Sequence, residues 1–75
     1  MRINGSRQFK GNNKKRYLVQ DAYKADRHKG KYHLTVKENG VYKLCYDICY
    51  HLLYFDSIKD AQREVLYRGD FIKTM

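Results

Sequence analysis

Seventy-five residues allow one domain, and a chain this short buries too small a share of its surface to be generously stable. With 43% apolar residues, eight tyrosines and three phenylalanines, it is too aromatic to be disordered throughout, and it has no apolar run of about eighteen residues to span a membrane. Sixteen Lys and Arg against eight Asp and Glu give a formal net charge of +8, a field that favours phosphate-rich or otherwise acidic partners.

The first residues, Met1-Arg2-Ile3-Asn4-Gly5, have no hydrophobic segment behind them to act as a secretion signal. A cytoplasmic location is therefore expected, in which Cys45 and Cys49 stay thiols. Residues 1–16 carry Arg2, Arg7, Lys10, Lys14, Lys15 and Arg16 with no acid. Residues 1–13 are polar and punctuated by Gly5 and Gly11-Asn12-Asn13, so residues 1–15 read as a flexible basic arm, and order is expected to begin near Arg16. An arm that grips a polyanion and a tail that only solubilises are both compatible with this composition.

From Tyr17 to Tyr23 β-forming residues supply a strand, with Tyr17, Val19 and Tyr23 on one side. Residues 24–30 form a charged connection closed by Gly30, adding Arg27, His28 and Lys29 to the basic surface. Tyr32, Leu34 and Val36 then alternate with His33, Thr35 and Lys37 in the period of a half-buried strand. Beyond Glu38-Asn39-Gly40, an apolar group recurs at every second position: Tyr42, Leu44, Tyr46, Ile48, Tyr50, Leu52 and Tyr54.

In a hairpin, directly opposed residues share a face. A two-residue Asn39-Gly40 turn would set Val36 opposite Lys43, whereas a three-residue loop with Gly40 as a left-handed bulge sets Val36 opposite Tyr42, Leu34 opposite Leu44 and Tyr32 opposite Tyr46. The second register gathers the apolar groups on one face and is the one expected. Thirteen residues of unbroken strand, from Tyr42 to Tyr54, would run about 43 Å, too long for a domain of this size, so a bulge or turn is expected near residues 47–49. Leu44, Ile48 and Leu52 also fit a helical stripe, but the tyrosine density favours strand.

Asp56 or Ser57 caps a helix over residues 57–68, with Ile58, Ala61 and Val65 at helical spacing, a Glu64–Arg68 ion pair, and Gly69 as a left-handed stop. Whether residues 70–75 dock through Phe71 and Ile72 or fray is open. The expected fold is α+β, a three- or four-stranded antiparallel sheet packed on one C-terminal helix, with residues 16–75 as the single domain.

From Gly30-Lys31-Tyr32, through Glu38-Asn39-Gly40, to residues 54–61 (YFDSIKDA), the order of parts resembles the three-stranded DNA-binding domains of phage integrases and Apetala-type endonuclease domains. The resemblance covers about thirty-five residues of the chain. It implies that the sheet face away from the helix enters the major groove, presenting Lys31, His33, Thr35, Lys37 and Lys43. The chain departs from the families' pattern in having Leu52-Leu53-Tyr54 where a glycine is usual, and a longer path from turn to helix.

In the expected register His33, Cys45, Cys49 and His51 share a face, but Cys45 and Cys49 would stand about 13 Å apart on a straight strand, too far to share zinc. Cys49 and His51 would be about 6.6 Å apart, beyond hydrogen-bond reach, with no third orienting group. Asp56, Asp60 and Glu64 are better explained by capping and ion pairing than by acid–base work. No catalytic activity, metal or cofactor is expected. Tyr42, Tyr46, Tyr50 and Tyr54 read as core because their period aligns with Leu44, Ile48 and Leu52, while Tyr17, Tyr23 and Tyr67 could pack or stack on bases.

The leading expectation is a nucleic-acid-binding accessory protein, DNA favoured over RNA, using Lys14, Lys15, Arg16, Arg27, Lys29, Lys31, Lys37 and Lys43. The alternatives are a ribonucleoprotein component, or a small phage-type inhibitor or interaction protein that uses its positive charge to occupy an acidic or nucleic-acid-binding surface of a partner protein. A small core and a long sheet edge also make a homodimer an option.

Overall fold

The computed structural model describes residues 3–23 and 30–75. Five antiparallel strands, β1 (Gln8–Lys10), β2 (Arg16–Asp21), β3 (Tyr32–Glu38), β4 (Val41–Leu44) and β5 (Tyr54–Phe55), precede helix α1 (Ile58–Arg68) and a 3-10 turn (Gly69–Phe71). The sheet runs β1-β2-β3-β4, and β5 pairs with β3 on the same side as β4. β4 lies opposite residues 35–38 of β3, and β5 lies opposite residues 32–33. The fourth position across the sheet is thus one line broken by an excursion of the chain. No helix among the described residues is long and apolar enough to cross a membrane.

Period-two alternation sorts the side chains. Phe9, Tyr17, Val36 and Lys43 share one face, as do Val19, Leu34 and Cys45. On that face Phe9, Tyr17, Val19, Leu34, Val36 and Cys45 form the core with Ala61 and Val65 of α1, so it is the face the helix covers. The expected helix is present: the Ser57 hydroxyl accepts from the Asp60 amide at 3.1 Å, satisfying one orphan donor of the first turn. Gly69 is not a left-handed stop; its φ of −54° continues into the 3-10 turn, where its carbonyl accepts from the Ile72 amide.

Three expectations need correction. The segment read as a flexible arm contributes edge strand β1: Phe9 is buried and stacks on Tyr17 with ring centroids 5.6 Å apart. Ahead of it, the fully buried Gln62 of α1 accepts from the Asn4 and Gly5 amides and donates to the Ser6 carbonyl at 2.7 Å. One buried aromatic and a distant amide are enough to order a segment whose composition is polar.

The hairpin takes the other register. Asn39 and Gly40 form a two-residue turn, both at positive φ (52° and 81°), and Val36 faces Lys43 while Thr35 faces Leu44. This geometry matches strand twist, which favours it over the bulged loop. The expectation failed because it assumed one buried face, whereas central strand β3 is buried on both: Leu34 and Val36 toward the helix, His33 and Thr35 away from it.

The tyrosine series consequently does not build the core. Tyr42 and Tyr54 are half-buried on the face away from the helix, Tyr46 is half-buried, and Tyr50 is exposed. Tyr23, expected beside Tyr17 and Val19, is also exposed. The expected break near residue 47 does occur. The Cys45 amide donates to Leu34 and the Cys45 carbonyl accepts from Leu53, so the chain leaves the sheet after Cys45 and returns at Leu53. Between them Asp47 holds a tight turn, its carboxylate accepting from the Cys49 and His51 amides at 2.8 and 2.9 Å. The C-terminal residues dock: Lys73 and Tyr46 exchange backbone hydrogen bonds at 2.8 Å, and the Thr74 hydroxyl donates to Glu38.

Candidate nucleic-acid interface

The face of the sheet away from α1 carries Gln8 and Lys10 of β1, Arg16, Leu18 and Gln20 of β2, His33, Thr35 and Lys37 of β3, Tyr42 and Leu44 of β4, and Tyr54 of β5. Lys10 is paired with Arg16, and Lys37 with Tyr42. Since Tyr17 faces Val36, Arg16 and Lys37 are neighbours as well, so three cations and a tyrosine form one row across four strands. With adjacent strands about 4.8 Å apart, Lys10 and Lys37 stand about 10 Å apart at the backbone. All three cations are exposed, and among the described residues none is in an ion pair.

Local chemistry fixes this row at one end of the sheet. Residues 11–15 close the β1–β2 hairpin through hydrogen bonds from Gly11 to Lys15 and from Lys14 to Gly11, with Lys14 at φ 66°. Asn13 supports the turn, accepting from the Lys15 amide and donating to the Tyr17 hydroxyl at 2.8 Å. Gly11 is needed for close approach, because a Cβ there would come within 2.8 Å of Val65 and 2.9 Å of Tyr17. The Asn39-Gly40 turn lies at the same end, so Lys14 and Lys15 join Lys10, Arg16 and Lys37 there. At this end of the two hairpins Glu38 is the one acid, and its carboxylate is already engaged by Thr74 at 2.8 Å and Lys43 at 3.9 Å; Asp21 lies at the far end of β2.

The residues expected to bind do not all meet. Arg16 and Lys37 lie in the row, Lys14 and Lys15 on the adjoining turn, and Lys31 on the same face at the opposite end of β3. Lys43 lies on the helix side, because the one-residue change of register reverses its face, and it pairs with Glu38. Arg27 and Lys29 lie outside the described residues. Lys10, which joins the row, was not among the expected residues because its segment was taken as an arm; the polar-Phe-polar alternation of residues 8–10 was the available signal.

The centre of the face carries no Lys, Arg, Asp or Glu and is nearly closed. Thr35 is buried and donates to the Leu18 carbonyl at 2.8 Å, and His33 is buried within 3.3 Å of the Gln20 amide oxygen. Gln8 and Gln20 are exposed on β1 and β2. The face therefore offers cations at one end, and side-chain amides able to donate and accept beyond them.

The other candidate chemistry is dispersed. The register sets His33 and Cys45 on opposite faces, and no group of three or more His, Cys, Asp or Glu among the described residues could hold a metal ion. Burial pushes the Cys45 thiol up to about 12, with Glu38 adding to the rise, so Cys45 is held as a neutral packing group rather than a nucleophile. Cys49 is exposed, and His51 stands 3.9 Å from the Asp47 carboxylate. Comparison of the chain with protein-family models, curated proteins and solved structures gave no match.

Proposed function

We propose that the protein binds nucleic acid, duplex DNA ahead of RNA, through the helix-free face of its sheet. The observation that carries this reading is the row Lys10, Arg16 and Lys37 on three adjacent strands, exposed and without ion pairs among the described residues. Cations held on a sheet, with no carboxylate among the described residues paired to them, contact phosphates at little cost in ordering. Their spread of about 10 Å is close to the width of the B-DNA major groove, about 12 Å, which admits a β-ribbon. Gln8 and Gln20 are of the residue type that pairs with adenine edges there. One half-buried tyrosine, Tyr42, lies in this row, and the exposed Tyr23, Tyr50 and Tyr67 do not, so the row lacks the series of stacking rings that a single strand needs. The order of strands, turn and helix resembles integrase-type DNA-binding domains and points the same way.

Fluorescence anisotropy with a labelled duplex over a salt series tests the proposal. Three phosphate contacts give a log–log slope of about −3, steeper if Lys14 and Lys15 take part. A flat salt response, or no binding at low salt, contradicts it. A pulldown whose partners persist after nuclease treatment would transfer the basic row to an acidic protein surface instead.

A further inference from the structure

The helix-free face has a second feature beside the basic row. Along the fourth position of the sheet, Tyr42 lies opposite Lys37, Leu44 opposite Thr35 and Tyr54 opposite His33, so all three turn away from α1. Tyr46 and Leu52, bridged to each other, alternate with Cys45 and Leu53 of the helix side and fall on the same outer face. These five side chains are half-buried on the side of the sheet that α1 leaves uncovered. They form a line of aromatic and aliphatic groups that meets the basic row at Tyr42.

The far end of the line opens into a depression of about 640 Å³ lined by Tyr50, His51, Leu52 and Tyr54. Tyr50 stands there at φ 62°, a left-handed conformation that Asn or Gly adopts more easily than a ring-bearing residue. Its side chain is half exposed, so packing does not offset that strain. The turn is held instead by the Asp47 carboxylate, which accepts from the amides of Cys49 and His51 on either side of Tyr50. Cations bracket the line. Lys37 stands beside Tyr42, and exposed Lys31 precedes His33 by two residues at the Tyr54 end, about 20 Å away along β3. The strands set no Asp or Glu on this face.

We infer that the line takes unpaired bases, so that the ligand is a duplex carrying a single-stranded extension. The inference rests on the reading that the row holds a nucleic acid. An occupant of the line must bring flat apolar groups to the tyrosines and negative charge to the cations at both ends. A strand with unstacked bases does both, because every base has a π-face and every nucleotide a phosphate. Row and line also meet at a corner, since the row crosses the strands and the line runs along them. The duplex backbone lies on the row, and the extension turns at Tyr42 and follows β4 and β5 to Tyr50. Strain at an exposed ring is then explained by what the ring stacks on.

Anisotropy titrations test it by comparing a blunt duplex with the same duplex bearing an extension that contains 2-aminopurine, whose fluorescence falls on stacking against an aromatic ring. The extended duplex is expected to bind at least about fivefold more tightly, the lower limit for one stacked base, with the probe dimmed. Tyr50→Asn suits the backbone at φ 62°, so the variant folds; it is expected to lose part of the gain and to keep the affinity for the blunt duplex. Tyr54→Leu is expected to reduce the gain as well. Equal affinity for the two duplexes with an undimmed probe overturns the inference, leaves the line open to a protein occupant, and leaves duplex binding standing. A gain that survives both substitutions comes from added phosphates alone and overturns it too. Binding of neither probe removes the inference together with the reading it rests on.

Discussion

The two faces of one sheet, built from alternate residues of the same strands, have been given different work. Toward the helix, Tyr17, Val19, Leu34 and Val36 are closed off from water, and the cations on that side are paired, Lys43 with Glu38 and Arg7 with Asp21. Away from it, Lys10, Arg16 and Lys37 stand in line without such a partner among the described residues. A cation paired with a carboxylate gives a ligand little, because the existing pair must be broken first; an unpaired one costs a ligand only its own desolvation. The contrast teaches that register, and not the count of charges, decides where a basic chain is adhesive.

The contrast breaks most completely by charge reversal. Arg16→Glu with Lys37→Glu should abolish measurable duplex binding near physiological salt and reduce the salt slope by about 2, whereas Lys43→Gln should change affinity by less than about twofold. Anisotropy titrations of the three proteins make the comparison directly.

Next in size is the anchor of the first strand. Gln62→Leu removes the acceptor of the Asn4 and Gly5 amides and the donor to Ser6 while keeping the volume, and should cost about 1–3 kcal/mol in urea unfolding. Because β1 carries Lys10, the same variant should also weaken binding. If β1 were an independent arm, the substitution would leave binding unchanged.

The helix-side face also predicts a loss of stability in alkali. Cys45 is raised from 9.0 to about 12, and Tyr17 is raised as well, chiefly by burial. Their neutral forms are the ones the fold accepts, so the contribution of Cys45 is complete below about pH 9 and is lost as pH rises toward 12, and Tyr17 acts in the same direction. Cys45 adds at most about 1.4 kcal/mol of lost stability per pH unit in that window. Cys45→Val should flatten the fall in Tm measured between these limits. The smallest effect is local: a thiol reagent at pH 8 should label exposed Cys49 quickly and Cys45 only on unfolding, at no cost in stability.

Local chemistry made part of this architecture legible. The alternation of residues 32–37, the Asp56-Ser57 start of the helix and the break at Asp47 each depend on neighbours in sequence, and each stands where the residues placed it. What was not legible depends on contacts between distant residues. Gln62 orders residues 4–6 from fifty-six or more positions away, and β3 is buried on both faces although the helix covers only one, which no local pattern can assign. For the same reason the row proposed to bind was only half readable. Arg16 and Lys37 were recognised, Lys10 was left out with its segment, and Lys43 changed sides when a two-residue turn replaced the three-residue loop.

The central claim is that the helix-free face is where a nucleic acid lies. Titrating a short DNA duplex into isotope-labelled protein at low salt and following the amide and side-chain resonances addresses it residue by residue. The account predicts the largest shifts at Lys10, Arg16, Lys37 and Tyr42, with Lys59 and Arg63 on the helix nearly still. Shifts centred on the helix, or none at all, would contradict it.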